Sequence, residues 1–176
     1  MPLDRSRSRR RAAAGYALLE ALIAVIVTSV GFIGAARLQT LGTSFNASAG
    51  MRQRAVLLVS QMTDRMRANH AGMLLGAYNL PAANDASCLT GTGCTPQTLA
   101  VADMTQWLDD VQGKGLSGVQ GGLPNGQGVV CLDSTPDDGT PSAPACDNSG
   151  VVYAVKVWWT DKLGTSRFVT SARPAS

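Results

Sequence analysis

Glu20 is the only charged residue among the 21 from position 16 to position 36. A carboxylate in mid-membrane costs about 2.5–3.5 kcal/mol on insertion scales, so an acid in such a run needs a partner or a task. Chemistry elsewhere is sparse. The chain has one histidine, His70; without a second ligand-type neighbour it reads as a helix-end cation or a solvated side chain. Asp133, Asp137 and Asp138 offer carboxylates to calcium, but their spacing does not match an EF-hand loop. They are expected in a solvated loop. The Gly-x-Gly pieces between Gly118 and Gly128 neither follow a strand nor open a helix, which argues against a phosphate cradle. There is no nucleophile elbow, no cluster of metal ligands and no C-x-x-C pair. Nothing points to an enzyme, a cofactor or a metal.

The run that carries Glu20 must position it. At about 1.5 Å of rise per residue, a helix over residues 16–36 covers roughly 30 Å, the hydrocarbon thickness of a bilayer. Arg5, Arg7, Arg9, Arg10 and Arg11 precede it with a single acid, Asp4. Such a basic flank stays on the cytoplasmic side, so the rest of the chain faces out. A secretory signal has the same charge order, but its apolar core is shorter and ends in a small-x-small pattern. Here polarity changes abruptly at Gly15 and Tyr16, ahead of the apolar run. The net charge of +3 belongs to the flank; from Tyr16 onward 10 basic residues face 11 acidic ones, a net of −1. No nucleic-acid surface is implied.

The arrangement Gly15-Tyr16-(x3)-Glu20 before an apolar helix resembles the prepilin signal of type IV pilins and pseudopilins. The resemblance implies a prepilin peptidase that cuts after Gly15 and methylates the new amine of Tyr16. It also implies an assembly role for Glu20. Residues 1–15 are then a leader peptide, 16–36 a transmembrane half-helix, 37–72 an amphipathic half-helix and 73–176 a periplasmic globular head. The implied fold class is α+β: a long N-terminal helix packed on a small antiparallel β-sheet, with loop disulfides. The run Asp64-Arg65-Met66-Arg67-Ala68-Asn69, and the Leu123-Pro124-x-Gly126-x-Gly128 turn before a strand, resemble the PilV group of minor pilins. The proline that many major pilins carry along the helix is absent.

Minor pilins contribute to pilus assembly or priming, and hence to adhesion or twitching motility. The implied partners are prepilin peptidase, other minor and major pilins, the inner membrane and the pilus assembly machinery. The implied location is the inner membrane with a periplasmic head before assembly, and the pilus or cell surface afterwards. A minor pseudopilin of a type II secretion system is the alternative within the family. A membrane-tethered periplasmic binding module is the alternative outside it, and such a tether needs neither Glu20 nor the cut site.

Beyond Arg37 the apolar residues Leu38, Leu41, Phe45, Ala49, Val56, Val59, Met62 and Met66 fall mostly three or four apart, which predicts one stripe on a continuing helix. The helix is expected to stop near Asn69, with Gly72 as its C-terminal cap. Residues 73–94 read as loop. Thr95 as N-cap, Pro96 at the first position and the apolar Leu99, Met104, Trp107, Leu108 and Val111 predict a helix ending at Gly113. Residues 151–160 and 165–171, joined by a turn, read as a strand pair. Tyr153, Val155, Val157 and Trp159 form one face; Val152, Ala154, Lys156 and Trp158 form the other. Both are mostly apolar, so the first of these strands is expected to be central, with one face under the long helix. The four cysteines, exported beyond the membrane, read as two disulfides with three possible connectivities. The sequence-local one, Cys88 with Cys94 and Cys131 with Cys146, is preferred.

Overall fold

The computed structural model describes residues 6–81, 88, 93–115, 122–162 and 164–174, with side chains from Tyr16 onward. The elements are α1 (Ser6–Ala68), α2 (His70–Leu74), α3 (Pro96–Gln112), β1 (Gln127–Leu132), β2 (Tyr153–Asp161) and β3 (Gly164–Ala172). They fall into two compact units, Met1–Asn46 and Ala47–Ser176.

The described residues of the first unit are helix alone. Every described side chain from position 16 to 43 is exposed, including Tyr16, Leu22, Val30 and Phe32. A helix apolar on all sides suits lipid, and this one is long and apolar enough to cross a membrane. Its described serine and threonine hydroxyls are satisfied within the helix. Thr28 Oγ1 donates to the Ala24 carbonyl at 2.6 Å and Ser29 Oγ to the Ile26 carbonyl at 2.8 Å. In hydrocarbon, polar groups must be satisfied internally in this way.

The second unit is α+β. A three-stranded antiparallel sheet in the order β1-β2-β3 has β2 at its centre, as expected for a strand apolar on both faces. One of its faces, Tyr153, Val155, Val157 and Trp159, joins Ala55, Val59, Met62 and Met66 of α1 in a single core with Met104, Trp107 and Val111 of α3. Those four α1 residues recur at intervals of four, three and four, the spacing of one helical face. The sequence stripe is corrected at its start: Leu38, Leu41, Phe45, Ala49 and Val56 are exposed. Ala55, not Val56, faces the core.

α3 begins and ends as its sequence requires. The Thr95 side chain accepts from the Thr98 amide at 3.2 Å, and Gly113 takes the left-handed conformation with φ 75°. The end of α1 differs from expectation. α1 stops at Ala68, Asn69 caps α2, and Gly72 lies buried inside α2 rather than closing α1. The cause is tertiary. Asn69 Nδ2 donates to the Pro96 carbonyl at 2.8 Å and to Tyr78 Oη at 3.1 Å, so the chain turns where Asn69 is held. The expected loop from residue 73 also begins in structure, since α2 reaches Leu74 and the Leu80 amide donates to the Val130 carbonyl at 2.9 Å. Residues 82–87 and 89–92 of that loop, and 116–121 of the glycine-rich loop, lie outside the described residues.

Gly128 shows what the glycine-rich loop is for at its described end. A Cβ there would sit 2.5 Å from Trp107 Cη2. Trp107 cannot swing away, because it is fully buried and its Nε1 donates to the Leu58 carbonyl at 2.8 Å. Gly128→Ala is therefore expected to cost about 1–3 kcal/mol by overpacking. Urea unfolding of the full chain in detergent, followed by tryptophan fluorescence, measures it; an unchanged midpoint would show that the indole relaxes freely.

Candidate functional site

Three constellations carry charge or reactive groups. The first is the N-terminal segment. Gly15 and Tyr16 lie within α1, so helix runs through their peptide bond. Tyr16 and Glu20 are both exposed and stand four residues apart, one turn above the other on one helix face. Among the described residues Glu20 has no hydrogen bond or ion pair.

The second constellation closes the outer face of the sheet. Lys156 and Asp133 are both fully buried, and Lys156 Nζ lies 2.6 Å from Asp133 Oδ2. The same ammonium donates to Asp138 Oδ1 at 2.9 Å, to the Asp138 carbonyl at 3.2 Å and to the Pro144 carbonyl at 2.8 Å. Arg167, on β3, donates to the Gly139 and Asp137 carbonyls at 3.0 and 2.8 Å and to Asp137 Oδ1 at 3.0 Å. Hydrogen bonding to Lys156 holds the Asp138 carboxyl below the usual carboxylate range. The hydroxyl of Ser134 and the amide of Ser149 do the same for Asp147. The expectation of a solvated acidic loop is thus corrected for Asp133. It is buried because β2 presents it with a lysine 23 residues later in the chain. The signal was Lys156 itself, a cation between valines in a run from Tyr153 to Trp159 that is otherwise apolar on both faces.

The third constellation joins α1 to α3. Arg65 Nη1 donates to Gln106 Oε1 at 2.9 Å, and the guanidinium lies 3.8 Å from both Asp103 and Asp110. Tyr78 Oη donates to Asp103 Oδ2 while accepting from Asn69. Burial pushes the Asp103 carboxyl up and pushes the Tyr78 phenol up further. Burial also raises the phenol of Tyr153, whose hydroxyl donates to the Met73 carbonyl at 2.7 Å. Both phenols hold their protons more tightly folded than unfolded. Their contribution to stability is present in full below the ordinary phenol value of about 10 and is lost as the pH rises past it. A spectrophotometric alkaline titration should therefore show two phenols ionising together with unfolding. Two phenols titrating reversibly near pH 10 in folded protein would contradict it.

The structure joins Cys88 to Cys94, with Cα atoms 5.4 Å apart, and Cys131 to Cys146, with Cα atoms 6.0 Å apart. This is the sequence-local pairing. His70 opens α2 and is exposed. No three metal-ligating side chains converge among the described residues. Polar groups in the second unit are thus arranged to pin loops and helices to the sheet, while Glu20 in the first unit has no such arrangement around it. Comparison with protein-family models, with curated proteins and with solved structures finds no match.

Proposed function

We propose that the chain is a minor type IV pilin, most similar to the PilV group, which enters or primes a pilus through its N-terminal helix. One observation carries the reading: Glu20 is the lone charge in the apolar stretch of α1 from residue 16 to residue 36, which is exposed on every side, and it stands one turn from Tyr16. A plain anchor gains nothing from that acid, which costs about 2.5–3.5 kcal/mol at mid-membrane. An assembling helix gains a contact that only a correctly placed neighbour supplies. A second unit with an α+β core and two disulfides suits a head exposed to an oxidising compartment.

In this reading residues 1–15 keep the Gly15–Tyr16 bond at the cytoplasmic face, where prepilin peptidase removes them. The head stands in the periplasm until other pilins and the assembly machinery draw the subunit from the inner membrane. Glycine at position 15 offers the peptidase a bond without a side chain beside it. Intact-mass spectrometry of the membrane-extracted protein is expected to find a chain beginning at N-methylated Tyr16, and Gly15→Val is expected to leave the precursor uncut. A mature N-terminus well beyond Ala36 would overturn the proposal.

A further inference from the structure

We infer that Lys156 is the resident cation of the loop between Cys131 and Cys146, doing there what a bound divalent ion does in cation-ordered loops. Its Nζ is enclosed by four oxygens: Asp133 Oδ2 at 2.6 Å, Asp138 Oδ1 at 2.9 Å, the Asp138 carbonyl at 3.2 Å and the Pro144 carbonyl at 2.8 Å. Two carboxylates and two backbone carbonyls are the donor set of a hard-cation site. Four oxygens also suit an ammonium, which has three protons to share among them, whereas calcium takes about six to eight ligands.

The oxygens come from the start, middle and end of the loop, so one cation fixes all three. Gly139 makes the turn between them possible. Its φ is 86°, and a Cβ would lie 2.3 Å from the Pro144 carbonyl oxygen, one of the four oxygens around Nζ. Thr140 and Ala143 close the tip with a pair of backbone hydrogen bonds at 2.9 and 3.2 Å. Because the cation is a side chain of the central strand, it cannot be removed by a chelator. The loop is ordered whenever β2 is in place, and its order does not depend on the divalent ions of the surrounding medium.

Limited proteolysis of the full chain in detergent, read as cleavage between residues 133 and 146 after reduction, tests this with EDTA and with millimolar calcium chloride. The wild type is expected to be cut slowly and at the same rate in both. Lys156→Ala is expected to be cut at least tenfold faster in EDTA, and calcium is expected to slow that cleavage, because the emptied cage then offers the metal four oxygens and water supplies its remaining ligands. Asp138→Asn keeps the buried pair and alters an exposed side chain, so it is expected to fold and to be cut severalfold faster in EDTA. It keeps the proposal falsifiable if Lys156→Ala fails to fold. Wild-type cleavage that responds to calcium, Asp138→Asn or Lys156→Ala cut at the wild-type rate, or a Lys156→Ala loop indifferent to calcium would each overturn the inference.

Discussion

Asp133→Ala is expected to destabilise the head by about 3 kcal/mol, the lower part of the range for breaking one partner out of a buried ion pair. The loss is large because both side chains are fully buried. Removing the carboxylate leaves an ammonium that water cannot reach. It stays at the lower end because Asp138 and two carbonyls still hold Nζ. For a unit of this size the melting temperature should fall by about 10 °C. A paired replacement, Asp133→Leu with Lys156→Met, should cost less than the single change, since apolar substitutes for a buried pair are often tolerated. Calorimetry of the full chain in detergent decides it. A shift under about 2 °C for Asp133→Ala would mean that the pair contributes little and that the loop is held by its disulfide and Arg167.

Glu20→Gln is expected to abolish co-assembly while leaving folding and processing intact. The proposed removal of residues 1–15 would leave the amine of Tyr16 as a cation at the end of an apolar helix, about 6 Å along the axis from Glu20. Within one subunit that distance compensates the two charges in part. In the proposed assembly, where subunits stack with an axial offset, Glu20 of one subunit would meet the amine of the next. A buried unpaired ion costs several kcal/mol, and a neighbour in the wrong register leaves the cost in place. On that proposal the carboxylate would select register as well as add attraction. Loss of about 3 kcal/mol at that contact corresponds to roughly a hundredfold weaker association. Glutamine keeps the size and removes the charge, so the head and the membrane span should be untouched. Co-purification of the tagged chain with partner pilins in detergent reads the effect, and recovery equal to the wild type would leave Glu20 without this role.

Local chemistry was legible where the chain itself supplies the cause. Thr95, Pro96 and Gly113 carry the caps of α3 within their own residues. The β-branched and aromatic run of β2 announces a strand buried on both faces, and its hairpin partner begins three positions after it ends, in register. The local disulfide pairing needs only short loops. What escaped the sequence is what depends on distant partners. Asn69 ends α1 because Pro96 and Tyr78 hold its side chain, and no periodicity signals that. The α1 stripe was misplaced by one residue at Ala55, since apolar residues surround the helix there and only the packed sheet decides which face is inner. Asp133 looked solvated because loop acids usually are; its burial follows from Lys156, which the alternation of β2 turns toward it.

The pilin reading itself rests on the first unit, and the most direct measurement is of where that unit takes the protein. Surface filaments sheared from cells that express the chain, and analysed by mass spectrometry, should contain it in substoichiometric amounts beside other pilins, beginning at Tyr16. The Glu20→Gln form should be missing from the same filaments while present in the membrane. A chain confined to the membrane fraction with residues 1–15 still attached, in cells whose other pilins reach the surface, would contradict the account.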